Sequence, residues 1–203
     1  MRKQLLLFLL MALLLTFGTV EAQEHQLVDL AQVNPRIIIE LKYATTDNFL
    51  KQKIYTDNTC YVLGILANKL DQAQKLLEQD GLGLKVYDGY RSVEAQKKMW
   101  AICPDPRYVA NPYKGGSNHC RGAAVDLTII DKDGNEMEMP TPFDTFAERA
   151  HQYSLAPTSQ QRLNRMLLRT VMKQVGLQSI RTEWWHYQLP NANKYPIINK
   201  GGF

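Results

Sequence analysis

The chain has 203 residues, 45% hydrophobic and 22% charged, with a formal net charge of +4 at neutral pH. That length and balance describe one globular domain able to bury a core without disulfide staples. The weak, scattered positive charge, with no Lys/Arg block, excludes a nucleic-acid-binding chain.

Residues 1–22, MRKQLLLFLLMALLLTFGTVEA, set Arg2 and Lys3 before an apolar run from Leu5 to about Phe17, followed by Val20-Glu21-Ala22. This is the pattern of an export signal with cleavage after Ala22. The run is short for a membrane span and no second span follows it. After cleavage no stable membrane span remains, and a periplasmic or secreted protein is expected. An uncleaved N-terminal anchor is the alternative. No Cys follows the run, which argues against a lipoprotein anchor. The mature domain is then 23–203, with 22 basic and 19 acidic residues and a net charge of +3.

In the mature chain, IIIELKYATTDNF (37–49) starts as a strand and ends in a polar turn. VLGILANKLDQAQKLLEQDGLG (62–83) has apolar residues at spacings of three and four, an amphipathic helix stopped by Gly81. LKVYDGYRS (84–92) is a strand that breaks at Asp88-Gly89, and SVEAQKKMWAI (92–102) is helical. CPDPRYVANPYKGGSN is loop. AAVDLTII is a strand, and DKDGN is a turn with Asp133-Gly134 at its tip, so a hairpin is expected. TPFDTFAERAH begins as a loop and leads to a helical turn. SQQRLNRMLLRTVMKQVGL (159–177) is a second helix, with Leu163, Met166, Leu167, Val171 and Val175 as its apolar face and Gly176 closing it. IRTEWWHYQL (180–189) is strand-like and aromatic. Helices and hairpin strands do not strictly alternate. The fold class is therefore α+β, a single domain with a mostly antiparallel central sheet flanked by helices.

Three cysteines, Cys60, Cys103 and Cys120, leave at least one thiol without an intrachain partner. A Cys60–Cys103 bridge would suit an exported protein. Cys120 adjoins His119, and neighbours in extended chain point to opposite faces. It is read as a small buried side chain. Of the four histidines in the mature chain, His25 lies just past the signal and His151 is read as a helix-end cap. His119 and His186 stand in the more unusual contexts.

A catalytic zinc site takes three protein ligands and keeps one position open for water. His119, Asp126 and His186 supply two imidazoles and a carboxylate. The seven-residue spacing of His119 and Asp126 would set them on opposite faces of an unbroken strand. Gly122 between them allows the chain to bend, so that both reach one ion. Asp126 stands in an otherwise apolar strand, where a buried carboxylate needs a partner. Backbone N–H groups or a buried Arg would serve it equally well. Glu183, three residues before His186, is the type of residue that serves as a general base without being a ligand. Bringing both to one site needs a bulge or turn at Trp184-Trp185. The plainer reading is a surface Glu and a satisfied His in an aromatic strand.

SNHCRGAAVDLTI resembles the S-x-H-x-x-G-x-A-x-D motif of the zinc D-alanyl-D-alanine peptidases, and EWWHY is similar to their closing E-x-W-H segment. The two stand in the right order, about sixty residues apart. LKYATTDNF, DGYRS, TPFDTFAERAH and NRMLLRTVM further resemble the D-alanyl-D-alanine dipeptidase branch. The resemblance runs from about Leu41 to Tyr187.

It implies one Zn²⁺ per chain, on the sheet, held by His119, Asp126 and His186, with a small D,D-dipeptide as substrate. Glu183 would activate the zinc-bound water and pass its proton to the leaving amine. Arg91 would stabilise the oxyanion, which needs a positive charge that does not titrate. Ser117, Tyr43 and Asp144 would line the dipeptide pocket, with Asp144 facing the substrate ammonium. On residues alone, Arg91 could instead pair with Asp88 or Glu94, and Asp144 could cap a helix. Cys120 and Ser92 depart from the family pattern, where Ser and Pro are expected. The resistance-type relatives act in the cytoplasm, so an export signal implies wall-peptide turnover or nutrient scavenging. Two alternatives remain: a D,D-carboxypeptidase acting on longer stem peptides, and a zinc-stabilised wall-peptide binding protein without catalysis.

Overall fold

The computed structural model describes residues 24–199, so the expected export signal lies outside the described residues. At the centre, β4 (Gly83–Asp88) and β5 (Ala124–Ile130) pair antiparallel from Gly83–Ile130 to Asp88–Asp126, with a register shift between Val86 and Asp88. Every residue of β5 is buried. Both faces of the strand are covered, which is why its sequence is a continuous apolar run rather than an alternating one.

The sheet has the order β2-β4-β5-β7-β6, where β2 is Ile38–Ile39, β6 is Gln178–Ser179 and β7 is His186–Gln188. β2 lies parallel to β4, and the other pairings are antiparallel. A separate two-stranded ribbon joins β1 (Leu27–Asp29) to β3 (Tyr61–Leu63). A short helix α1 (Leu30–Val33) follows β1. The α+β expectation with a mostly antiparallel central sheet agrees with this architecture.

Helix α2 (Gly64–Glu78) buries Leu66, Ala67, Leu70, Ala73 and Leu77 against the core that holds Leu84, Val86, Leu127 and Ile129. Each fully buried leucine contributes about 1.5–3 kcal/mol. The helix begins two residues later than the periodicity suggests, because Val62 and Leu63 are taken into β3. Gly81, at φ +70°, ends the following turn, and Leu82 N–H bonds the Leu77 carbonyl at 3.1 Å. Ser92 caps α3 (Val93–Ile102) by accepting from Ala95 N–H at 3.1 Å. Ala95 and Met99 of α3 then pack with Tyr43, Leu50, Ile54 and Val109 in a second cluster.

Helix α4 (Ser159–Gln174) starts with a reciprocal cap between Thr158 and Gln161. Its orientation departs from expectation. Val171 and Val175 are buried, but Leu163 and Met166 are 57% and 48% exposed, while Asn164, Arg165, Leu168 and Met172 turn inward. The reason is polar. Asn164 donates to the Glu138 carbonyl at 2.8 Å, and Arg165 donates to the carbonyls of His151 and Ser154 at 2.7 and 2.8 Å. Loop carbonyls beneath the helix need donors, and that need rotates the helix away from its apolar stripe.

Two strands are shorter than expected. After Ile38–Ile39 the chain makes one more bond, Glu40 N–H to the Val86 carbonyl at 2.9 Å, and turns into a 3-10 segment at Lys42–Ala44. The aromatic segment 180–189 forms a strand only at His186–Gln188. The hairpin expected after β5 is reduced to the single Ile130–Glu136 bridge, its turn held by Asp131 accepting from Asp133 and Asn135 N–H groups, each at 2.9 Å. Cys60, Cys103 and Cys120 are all free thiols, so the Cys60–Cys103 bridge is not formed.

Candidate metal centre and catalytic cavity

Asp88, Asp126 and His186 occupy one rung across β4, β5 and β7. Directly opposed residues on neighbouring strands share a face, so pairing alone groups these three side chains. His119 joins them from the 3-10 turn His119–Arg121 that leads into β5. The turn ends at Gly122, at φ +63°. A Cβ there would meet Leu27 Cδ2 at 2.6 Å, and the Gly122 carbonyl accepts from Leu63 N–H at 2.9 Å. Both the backbone conformation and the close approach of β1 and β3 require glycine.

His119 Nε2 lies 3.3 Å from His186 Nδ1 and 3.5 Å from Asp126 Oδ2, and His186 Nδ1 lies 3.0 Å from Asp126 Oδ1. The opposite ring nitrogens are each committed. His119 Nδ1 is 2.8 Å from the Gly89 carbonyl oxygen, which can only accept, so Nδ1 carries the hydrogen and Nε2 a lone pair. His186 Nε2 is 3.1 Å from Gln188 Oε1, which also accepts from Asn118 Nδ2 at 2.9 Å, leaving the lone pair on Nδ1. His119 Nε2, His186 Nδ1 and the Asp126 carboxylate therefore converge on one point. Such a point takes a cation.

Tetrahedral zinc with nitrogen ligands at about 2.0–2.1 Å sets neighbouring donors about 3.3 Å apart, so these residues fit the ion. Among the described residues His119, Asp126 and His186 form a buried set whose donor atoms all lie within 4.8 Å of one another. A proton is the competing cation. Burial pushes His186 down, but the Asp126 carboxylate outweighs it and lifts the imidazole to about 9.

Glu183 precedes a bend at Trp184–Trp185 and sits with Oε2 4.0 Å from His186 Nδ1. The two rings, each 1% exposed, anchor the bend. Trp184 Nε1 donates to Thr141 Oγ1 at 3.0 Å, and the Trp185 carbonyl accepts from Leu127 N–H at 3.1 Å. Burial raises Glu183 above the ordinary glutamate range, against the pull of His186.

Arg91 donates through Nε and Nη2 to Asp88 Oδ2 at 3.2 and 2.5 Å, and through Nη1 to Gln96 Oε1 at 3.0 Å. The Tyr55 hydroxyl bonds the other Asp88 oxygen. The ion pair with Asp88 is thus formed, and Arg91 reaches the cavity as well. Its guanidinium also lies 5.1 Å over the Tyr43 ring. The Tyr43 hydroxyl donates to Asp144 Oδ2 at 2.9 Å. Asp144 caps no helix. It holds φ +58° in a turn, and burial followed by the nearby Asp126 charge pushes its carboxyl well up. Ser117 Oγ accepts from His119 N–H at 3.2 Å.

One cavity of about 340 Å³ is lined by His119, Asp126, His186, Glu183 and Arg91, together with Ser117, Tyr43 and Asp144. All eight residues singled out from the sequence meet there. His151 lies elsewhere, ending the 3-10 turn Glu148–Ala150, and His25 packs near the Tyr195 ring. Of the supporting residues only Asp88 was foreseen, as a partner for Arg91 and not as part of the ligand rung. Asp88 reads in sequence as a strand end, although an acid closing an apolar strand was a signal. Gln188 follows His186 by two residues and so shares its face, a relation period-two reading could have supplied. Tyr55 and Gln96 carry no sequence signal.

A family model described as "D-ala-D-ala dipeptidase" matches residues 23–200. The chain is 42% identical over 175 residues to the D-alanyl-D-alanine dipeptidase of Escherichia coli K12, covering 85% of this chain and 89% of that one. It is 32% identical over 179 residues to the D-alanyl-D-alanine dipeptidase of Enterococcus faecium, covering 77% and 89%. The Enterococcus faecalis protein of that name is 34% identical over 170 residues, covering 74% and 84%.

Proposed function

Because the chain belongs to the D-Ala-D-Ala dipeptidase family, we propose that it is a zinc metallopeptidase that hydrolyses the D-alanyl-D-alanine dipeptide in the cavity beside His119, Asp126 and His186. The observation that carries this reading is the convergence of three lone-pair donors, 3.0–3.5 Å apart, on a wall that also presents Glu183 and Arg91.

His119, Asp126 and His186 would hold the ion. When bound, zinc supplies Lewis-acid polarisation of the scissile carbonyl and brings the pKa of water to about 7. Glu183, as carboxylate, takes a proton from the attacking water and returns it to the leaving amine. Arg91 uses three of its five N–H groups on Asp88 and Gln96. Tyr55 also stands against the guanidinium, and a remaining N–H meets the oxyanion as it develops. The fork to Asp88 fixes the guanidinium in advance, so little reorganisation is needed at that moment.

Asp144 receives the substrate ammonium. Its carboxyl is pushed up by burial and by Asp126, and a neighbouring ammonium restores the charged form. Tyr43 holds Asp144 in place from behind, and Ser117 closes the wall next to His119.

The test is a substrate panel on zinc-loaded protein. Free D-Ala-D-Ala is hydrolysed, whereas N-acetyl-D-Ala-D-Ala, lacking the ammonium, is not. Faster release of D-Ala from a pentapeptide stem would assign a carboxypeptidase instead. Stoichiometric binding without product would assign a binding protein.

Residues 1–22 direct export, and the mature enzyme works in the periplasm or outside the cell on dipeptides freed from wall peptide. The charged start, apolar run and Ala22 support this. Among the described residues no helix is long and apolar enough to cross a membrane. Fractionation with N-terminal sequencing is expected to give a chain beginning at Gln23. Full-length protein in the cytosol would overturn it.

A further inference from the structure

Residues 149–182 carry six cationic side chains, Arg149, Arg162, Arg165, Arg169, Lys173 and Arg181, and no Asp or Glu. Among the described residues none of the six is in an ion pair. Arg149, Arg162, Arg165 and Arg169 bond neutral groups. Arg162 donates to the carbonyls of Leu155 and Pro157, and Arg169 to that of Gln152. These bonds hold the 149–157 loop on α4 but leave its positive charge uncompensated. Arg165 is accordingly lowered by burial and by the neighbouring Arg169 and Arg162. The segment is bounded by Glu148 and Glu183, and Glu138 bonds Gln161 at 2.9 Å on its flank.

Large apolar side chains project from the same surface. Leu155 is 82% exposed, Tyr153 69%, Leu163 57% and Met166 48%. They are continuous with the cations: the Arg169 guanidinium lies 4.7 Å over the Tyr153 ring, and Arg162 holds the Leu155 carbonyl at 3.2 Å. Leu163 and Met166 lie one helical turn apart on α4, facing away from the core. Burial of this helix face was given up when Asn164 and Arg165 turned inward.

An exposed apolar cluster framed by unpaired cations marks a contact surface. A soluble polyanion would neutralise the arginines and leave four apolar side chains in water. A bilayer with anionic headgroups satisfies both, with phosphates meeting the cations and the apolar side chains entering the acyl boundary. We propose that the face formed by α4 and the 149–157 loop docks on an anionic phospholipid membrane. It adjoins the catalytic cavity through Ile180 and Thr182, which line that cavity next to Arg181. Docking would therefore hold the cavity close to the membrane surface.

The test is vesicle co-sedimentation of the chain from Gln23 onward, which carries the entire described fold and omits the apolar leader. Phosphatidylcholine vesicles with and without phosphatidylglycerol are compared. Wild type is expected to bind the anionic vesicles about tenfold or more tightly than the neutral ones, with loss at high salt. Leu155→Asp and Leu163→Asp, at exposed positions that should leave dipeptide turnover unchanged, each weaken binding, and so does Lys173→Glu. Equal binding to both vesicle types, or unchanged binding in all three variants, overturns the proposal. So would polyglutamate displacing the protein as effectively as anionic vesicles while Leu155→Asp has no effect.

Discussion

Asp126 and His186 are cross-strand partners on β5 and β7, with carboxylate Oδ1 and imidazole Nδ1 3.0 Å apart. A proton or a metal ion can occupy the space between them, and that competition makes metal loading depend on pH. The Asp126 charge lifts His186 to about 9, whereas a ligand imidazole must be neutral. Zinc uptake at neutral pH therefore displaces a proton. Apparent affinity is expected to fall about tenfold per unit as pH drops below 9. Calorimetry in buffers of different ionisation enthalpy measures the proton release directly; zero release would contradict it.

Gln188 fixes His186 from outside the ligand set by accepting from Nε2 at 3.1 Å. Gln188→Ala is expected to lower zinc affinity by roughly 10–100-fold, the usual effect of removing such a partner. A chelator competition assay reads it, and unchanged affinity would mean that Asp126 alone orients the ring.

Glu183→Gln is expected to cut kcat by about 10²–10⁴-fold with zinc still bound. The wild-type pH profile supplies a second check. Glu183 is raised by burial and acts as carboxylate, so activity is lost as pH falls through a midpoint above the ordinary 4.5. An acid limb at or below that value would rule Glu183 out as the base.

Arg91→Lys keeps a positive charge but loses the fork that spans Asp88 and Gln96. The expected loss is about 10²–10³-fold in kcat, as for removal of an oxyanion donor, with little change in KM. A selective rise in KM would place Arg91 in substrate binding instead.

Gly122→Ala meets both an unfavourable φ of +63° and Leu27 Cδ2. Strain of about 1–3 kcal/mol lowers the melting temperature by roughly 2–12 °C. Zinc affinity falls with it, because the turn carrying His119 must shift. A melting temperature equal to wild type would mean that β1 yields freely.

The meeting of Asp126, His119, Glu183 and His186 in one cavity was legible because each broke a local rule: an acid in an apolar strand, a histidine before a turn glycine, a Glu and a His bracketing two tryptophans. Strand and helix cores followed from periodicity. The face of α4 did not, since Asn164 and Arg165 are turned inward by loop carbonyls at Glu138, His151 and Ser154 that no pattern along the helix announces. The frame behind Arg91 was hidden for a similar reason. Tyr55 and Gln96 reach it from separate segments, and only the folded arrangement relates them.

The rung of Asp88, Asp126 and His186 also governs when the site can exist. Its members come from strands far apart in the chain, and Asp126 and His186 alone are 60 residues apart. Contacts of such separation form late, after the intervening loops have closed. No fragment ending before β7 holds the ion, and a chain threaded unfolded through a translocation channel would cross without it. Zinc capture is thereby tied to the compartment where folding finishes.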